Sequence, residues 1–362
     1  MLRISVEKLH EFMVEVFTRL DVPLDEAKIC ADVLIESDLR GIESHGIGRC
    51  KMYYDRIKAG IQFPITKIDI IRDKYATAVW DGNHGMGHVI SHRAMQTAID
   101  KAKHYGIGCV VVRNSTHYGI AGYYASMAIK EDMIGITFTN ARPSIAPTNG
   151  LDPMLGTNPI CFGAPSNLEF PFLFDGATSI SQRGKIEVLD REGKETPIGW
   201  AIDREGKPFT DTKQLLIDLI SKQAAMLPIG GADEETGSHK GYSLGVMVEI
   251  LSAALQNGSY LQGLHGFDEA GNKIPYKLGH FFLTINIDFF TEIDDFKKIT
   301  GDIMQTLQNS TVAPGKDKIW IAGEKEYYMD KEVRAQGVPI TPALLNNLKV
   351  MKKELGIELL DI

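Results

Sequence analysis

The chain has 362 residues, of which 44% are hydrophobic and 24% charged, a composition typical of an ordinary globular protein. This length allows two domains, or one large domain with an added lobe. The formal net charge is −8, from 39 basic and 47 acidic side chains, and no run of lysine or arginine occurs, so we expect neither nucleic acid nor an anionic membrane as a partner.

Helical spacing of apolar residues dominates both ends of the chain, whereas short apolar runs typical of strands dominate the middle. Helices are predicted over residues 6–20, 23–41, 44–58, 89–104, 120–130, 241–255, 291–308 and 341–355. Strands are predicted over residues 67–71, 76–80, 109–112, 134–140, 172–175 and 280–287. A helical run toward Leu189 follows the strand at 172–175, and a turn-rich, hairpin-like excursion covers residues 190–212.

This order predicts an α/β fold of the α+β kind. Residues 1–64 and 305–362 would form one helical lobe, and residues 65–304 a mixed-sheet domain.

Cysteine usage and the N-terminus favour the cytoplasm. Cys30, Cys50, Cys109 and Cys161 are far apart and form no CxxC motif, which is typical of reduced thiols. The first residues lack a signal-peptide core, and no apolar stretch approaches the roughly 18 residues that a membrane span needs.

His117 follows the predicted strand at 109–112 in a polar loop. Loops at strand ends are where α/β proteins often place reactive side chains. We therefore expect His117 at the mouth of a cleft. The alternative is a loop histidine that is hydrogen-bonded to backbone.

A second histidine lies in the predicted helix over residues 44–58. His45, Arg49 and Tyr53 are spaced four residues apart and would share one helix face. A histidine can exchange a proton near neutral pH, and an arginine binds a carboxylate by two hydrogen bonds. These groups suit chemistry on a small 2-oxo or 2-hydroxy acid. The alternative is a solvated basic helix face.

The usual dinucleotide-binding motif is absent, because no GxGxxG stands between a strand and a helix. Two other segments suit phosphate: Asp175 to Ser181, with small residues and hydroxyls before a predicted helix, and Ser238 to Gly241, a helix start that includes Lys240. Each can also be a plain helix cap.

The most specific alternative function is metal binding. His84, His88 and His92 have the i, i+4, i+8 spacing that can bind zinc on a helix. Three glycines among residues 82–87 disfavour a helix over His84, and no acidic residue lies between the histidines. We therefore expect surface histidines and no metal.

Several motifs together resemble one family. They are Asp38–Arg49, Arg113–Tyr124, Gly156–Pro159, Asp175–Thr178 and His239–Tyr242. In this order they are similar to the malate/L-lactate dehydrogenase family that is distinct from the Rossmann-type enzymes. That family includes archaeal malate and sulfolactate dehydrogenases, ureidoglycolate dehydrogenase and diketogulonate reductase, and the likeness covers nearly the whole chain.

The resemblance implies hydride transfer between nicotinamide and C2 of a small 2-hydroxy or 2-oxo acid, of the malate/oxaloacetate or lactate/pyruvate type. It implies a helical lobe from both chain ends, a non-Rossmann mixed-sheet domain that binds NAD or NADP and the substrate, and a homodimer. The choice between NAD and NADP stays open. Arg183 could contact the extra phosphate of NADP, but a solvent-facing arginine is the better interpretation.

Carried over position by position, the resemblance also implies the site residues. His117 and His45 match acid/base residues of different branches, and Arg49 matches the arginine that binds the substrate carboxylate, with Ser44 beside them. We favour His117 as the proton donor, because its loop lies at a strand end. The expected cofactor contacts are Asp175, Thr178, Ser179, Ser181, His239, Lys240, Gly323 and Glu324.

Other functions remain open at this point. Within the oxidoreductases, the same scaffold could host a reductase of cyclic imino acids or a ureidoglycolate dehydrogenase. From other classes, a metal-dependent hydrolase that uses His84, His88 and His92, or a dinucleotide-binding sensor without catalysis, would account for part of the motifs.

Overall fold

The computed structural model describes residues 2–360 and has a mixed α/β fold. The helices are α1 (Val6–Thr18), α2 (Leu24–Leu39), α3 (Cys50–Lys58), α4 (Gly87–Tyr105), α5 (Ala121–Ile129), α6 (Arg183–Arg191), α7 (Thr212–Ser221), α8 (Ser238–Ala253), α9 (Ile293–Gln308), α10 (Glu324–Gln336) and α11 (Pro342–Leu355). The strands are β1 (Leu2–Ile4), β2 (Asp69–Lys74), β3 (Thr77–Asp81), β4 (Ile107–Ser115), β5 (Met133–Thr139), β6 (Ile160–Ala164), β7 (Phe172–Gly176), β8 (Ala201–Ile202), β9 (Ala225–Met226), β10 (Leu278–Asn286) and β11 (Val338–Ile340).

The main sheet has seven strands in the order β2-β3-β4-β10-β5-β6-β7. Its β3–β4 pair is parallel and its other pairs are antiparallel. A doubly wound dinucleotide-binding fold is instead mostly parallel. The sheet therefore confirms the predicted mixed, non-Rossmann fold class.

Strand β4 shows why the sheet is covered on both sides. Successive side chains of a strand point to opposite faces. Val110 and Val112 pack with α4 and α5, whereas Val111 packs with Phe281 of β10 and Val248 of α8 on the other face. Burial on both faces explains the continuous apolar run that predicted this strand.

Both chain ends contribute to a second core. Apolar residues of α1, α2 and α3 pack with those of α11 and with Val333 of α10. The short strand β1 also pairs with β11, near the other end of the chain. The division into domains at residues 64 and 305 stays a prediction.

The helix predicted over residues 44–58 forms, but the prediction of its start is wrong. The helix begins at Cys50, after a short 3-10 turn at Ile47–Arg49, and His45 lies in a turn outside it. Glycine disfavours a helix because it loses much backbone freedom, and Gly46 and Gly48 occupy this segment. The shared helix face of His45, Arg49 and Tyr53 therefore does not form.

The helix after β7 covers Arg183–Arg191, which confirms the predicted helical run toward Leu189, and Asp175 belongs to β7. Other elements had local patterns that were too weak to predict them from the sequence. Residues 190–212 contain β8, which pairs with β9, and lead into α7, which was not predicted. Strand β6 and helix α10 were also missed.

Among the helices of residues 2–360, none combines the length and the apolar character needed to cross a bilayer.

Candidate active site

A cavity of about 400 Å³ lies between the end of β4, the end of β7 and the loop that precedes α3. His45 and His117 both line it, as do Asp175, Ser179 and Ser181. The fold thus brings together residues that are far apart in sequence. Cavities of this size suit a small molecule or part of a cofactor.

The His117 loop is held by the start of α4. The Thr116 hydroxyl accepts a hydrogen bond from the Gly87 amide at 2.9 Å and donates one to the Gly85 carbonyl at 2.8 Å. A Cβ atom at Gly87 would lie 2.4 Å from the carbonyl oxygens of Thr116 and His117. Only glycine permits this close approach, which fixes where His117 leaves the sheet.

Asp38 of α2 holds the other histidine loop. Its Oδ2 atom accepts a hydrogen bond from the Ile47 amide at 2.7 Å. A Cβ atom at Gly46 would lie 1.9 Å from Oδ1, so the loop packs directly on the carboxyl group. Burial raises the pKa of Asp38 to about 8. The carboxyl group is therefore part of the structure that positions His45.

The two histidine rings stack. Their centroids are 5.5 Å apart and their planes differ by 23°. The Tyr53 hydroxyl lies 2.5 Å from Nδ1 of His117, and the Gly119 amide faces the same nitrogen at 3.3 Å. Nδ1 of His45 lies 2.9 Å from the Ser44 hydroxyl. In both rings Nδ1 is occupied by the protein, which leaves Nε2 for a ligand.

Burial determines the charge of both rings. It lowers the pKa of His117 well below its usual value, with smaller contributions in the same direction from the arginine charges of Arg56 and Arg49. Burial, with the charge of Arg49, lowers the pKa of His45 to about 4. Because burial lowers the pKa of both rings from the ordinary histidine value, both are neutral in the free protein at neutral pH and can accept a proton from a bound ligand.

Arg49 lies beside this cavity. Its Nε atom donates to the carbonyl of Ser44, and the side chain lines a neighbouring cavity of about 170 Å³ together with Ser44. The structure thus keeps Arg49 near His45 through the loop rather than through a helix face.

The residues expected to contact a cofactor fall into two groups. In the first, Asp175, Ser179 and Ser181 line the histidine cavity. The Asp175 carboxyl group accepts a hydrogen bond from the Gly122 amide at 2.6 Å and so caps α5. The Thr178 hydroxyl donates to backbone carbonyl groups and is buried. Asp175 and Thr178 therefore support the cavity wall.

The second group lies elsewhere. His239 and Lys240 are exposed or partly exposed at the start of α8, and neither lines the histidine cavity. Gly323 caps α10 with a φ of 93°, and Glu324 is buried, with Lys318 at 2.5 Å and Gln308 at 2.9 Å. The structure does not bring these four residues to His117.

The three histidines of the rival metal site were expected at the surface, and for His88 this expectation is wrong. His84 precedes α4 and contacts the Tyr276 carbonyl at 2.9 Å, while His88 is fully buried with its ring 4.5 Å from that of Tyr53. In the chain from 2 to 360, no group of three or more histidine, cysteine, aspartate or glutamate side chains is placed to hold a metal ion.

Sequence reasoning missed several contributors to the site. Asp38 lies within a quoted motif, but nothing in the pattern indicated that its carboxyl group contacts Gly46 and Ile47. Tyr53 was noticed only for its spacing from Arg49. Lys185 lines the cavity, but its sequence segment contains no motif that indicates a binding residue.

Comparison with known proteins shows the family. A sequence model described as malate/L-lactate dehydrogenase matches residues 4–349. The chain belongs to this family. It is 43% identical over 357 residues to the malate dehydrogenase of Pyrococcus horikoshii, covering 99% of this chain and 96% of that protein.

Two further relatives agree. The chain is 38% identical to the L-sulfolactate dehydrogenase of Methanocaldococcus jannaschii, with 98% of each chain covered. The crystal structure of malate dehydrogenase from Entamoeba histolytica matches with a TM-score of 0.97 at 44% identity, covering 100% of this chain and 99% of that one. These findings confirm the resemblance inferred from the motifs. The protein is a 2-hydroxy acid dehydrogenase.

Replacing Asp38 by asparagine should stabilise the protein, and the gain in the free energy of unfolding should grow as the pH rises from 4 to 8. A carboxyl group with a raised pKa keeps its proton when folded and loses it when unfolded, so its contribution to stability falls as pH rises through this window. Asparagine keeps a side-chain oxygen that can accept the hydrogen bond from the Ile47 amide, but it does not titrate, so its contribution to stability does not change with pH. Thermal unfolding of both proteins at several pH values checks this, and a difference that is constant with pH would contradict it.

Proposed function

We propose that the protein oxidises malate to oxaloacetate with a nicotinamide cofactor and catalyses the reverse reaction. The observation that supports this most strongly is the stacked pair of neutral histidines, His45 and His117, in a cavity that Arg49 adjoins. The relatives named above act, by their names, on malate and on sulfolactate. Both compounds are 2-hydroxy acids with a second acidic group.

The cavity wall fits a nicotinamide cofactor. Gly119, Gly176 and Ala177 line it, and such small residues let a flat ring approach the backbone closely. The hydroxyl of Ser181 is buried without a hydrogen-bond partner in the described chain, which is unusual unless a ligand or water completes the site. When bound, the nicotinamide ring supplies the hydride to C2 or takes it up.

We place the cofactor along Asp175, Thr178, Ser179 and Ser181. Asp175 and Thr178 would hold this segment through their backbone contacts, while Ser179 and Ser181 would face the cofactor. His239, Lys240, Gly323 and Glu324 remain proposed contacts for parts of the cofactor outside the histidine cavity.

His117 would carry the proton. In the oxidation direction its neutral ring would accept the hydroxyl proton of the substrate, while the Tyr53 hydroxyl, 2.5 Å from Nδ1, holds the ring in position. In the reduction direction the protonated ring returns that proton to the oxygen on C2. The lowered pKa of His117 makes the protonated ring a stronger acid. His45, stacked beside it, would orient the substrate.

Arg49 would bind the carboxylate on C1. In the described structure one guanidinium nitrogen contacts the Ser44 carbonyl, and the planar group can offer its other donors to a carboxylate. Fixing this carboxylate also determines which face of C2 meets the nicotinamide.

We further propose a cytoplasmic homodimer. The four cysteines are free, which suits a reducing compartment. Leu244, Met247 and Ile250 form an exposed apolar strip on α8, and a second copy of the chain would cover it.

The direct test is consumption of NADH and of NADPH with oxaloacetate, pyruvate, sulfopyruvate, a ureidoglycolate-derived oxo acid and a cyclic imine. We expect oxaloacetate to have the highest kcat/KM. The nicotinamide that is consumed faster identifies the preferred cofactor. If the cyclic imine or the ureidoglycolate-derived acid were preferred, the proposed substrate would be wrong.

Replacing His117 by alanine should lower kcat by about 100- to 10,000-fold, the usual contribution of a positioned acid/base group. His45→Ala should lower it less and mainly raise KM, because His45 would orient substrate. Steady-state kinetics with saturating cofactor measures both effects. The two assignments would be exchanged if His117→Ala kept full turnover while His45→Ala lost it.

A further inference from the structure

One cation in the histidine cavity has no role in the chemistry described so far. Lys185, in the first turn of α6, lines the same cavity as His45 and His117. Among the described residues, no other lysine or arginine lines this cavity. A lone ammonium group in a substrate cavity is suited to an anionic part of a ligand.

Its neighbours are already paired. Arg40 forms an ion pair with Glu36 at 2.7 Å, and Arg183 pairs with Glu187 at 3.1 Å. Lys185 forms neither an ion pair nor a side-chain hydrogen bond within residues 2–360. Its ammonium group is therefore free to bind a ligand without first breaking a contact.

Lys185 also lies next to the loop that carries Arg49. A Cβ atom at Gly184 would lie 3.3 Å from Nη2 of Arg49 and 3.3 Å from Cβ of Ser44. This loop therefore packs on the first turn of α6, at the residue just before Lys185. Arg49 therefore lies against the residue that precedes Lys185, although the two side chains line different cavities.

We propose that Lys185 binds the second acidic group of the substrate, while Arg49 binds the carboxylate on C1. This inference rests on the proposed function and names the residue that selects 2-hydroxy acids with a carboxylate or sulfonate on C3. Gln182, one turn earlier on the cavity wall, offers its amide to the same group. A monocarboxylic acid such as lactate leaves the ammonium group without a partner, so Lys185 sets preference and takes no part in hydride or proton transfer.

The test is Lys185→Met, which keeps most of the side-chain length and removes the charge, assayed with oxaloacetate and with pyruvate at saturating cofactor. We expect kcat/KM for oxaloacetate to fall about 10- to 100-fold, as the loss of a charge-assisted hydrogen bond predicts, and kcat/KM for pyruvate to change less than about threefold. Lys185→Arg should restore most of the activity with oxaloacetate.

Lys194→Met is the matched control. Lys194 is a more distant lysine, exposed on the surface and paired with Glu192 at 2.8 Å, so its loss should leave both substrates unaffected. Equal losses for oxaloacetate and pyruvate in Lys185→Met would overturn the proposal. In a second assay at varied cofactor concentration, a rise confined to KM for the cofactor would also overturn it, because Lys185 would then bind a cofactor phosphate.

A binding measurement separates this inference from the proposed function. If the wild-type enzyme did not prefer oxaloacetate to pyruvate, the proposed function would fail. Calorimetric titration with succinate, a four-carbon diacid that lacks the C2 hydroxyl group, would then decide about Lys185. Weaker succinate binding by Lys185→Met than by wild type supports the subsite, and equal binding contradicts it.

Discussion

The contact between the Tyr53 hydroxyl and Nδ1 of His117 joins the two parts of the site. Tyr53 belongs to α3, which packs in the core formed by both chain ends, whereas His117 leaves the end of β4 in the main sheet. The position of one histidine relative to the other therefore depends on how the helices of the chain ends pack on the sheet. A shift of about 1 Å in this packing would change the geometry of the stacked rings and weaken proton transfer between ligand and protein.

Burial sets the chemistry of the rings that this contact positions. The cavity walls remove water from both histidines, and nearby arginine charges act in the same direction, so the neutral forms are favoured. A neutral ring can take a proton from a hydroxy acid at neutral pH. An incoming anionic substrate adds negative charge and favours the protonated ring, so substrate binding and proton uptake are expected to be coupled.

Local sequence patterns predicted those helices and strands whose apolar spacing is clear within a few residues. The apolar run of β4 and the polar loop after it placed His117 at a strand end, as the structure confirms. The start of α3 was predicted too early, because helical spacing of His45 and Arg49 outweighed the glycines between them. Gly46 packs directly against Asp38, which lies eight residues earlier on α2, and this contact keeps Gly46 out of the helix.

The long-range arrangement was not predictable from these patterns. Strand β10 was predicted as a strand, but its place between β4 and β5 follows from pairing over more than a hundred residues. Lys185 likewise lies in an ordinary helical segment, and only the packing of α6 against the Arg49 loop brings it to the cavity. The family motifs gave the reaction class, but they gave no information about the side chains that meet the rest of the substrate.

Burial keeps His117 neutral in the free protein, and a titration of its ring measures this charge state. Histidine-selective isotope labelling and NMR give the titration midpoint of each ring, and the signal that is missing from His117→Asn identifies His117. We expect a midpoint clearly below 6.5, with the ring neutral at pH 7. A midpoint at or above 6.5 would contradict it.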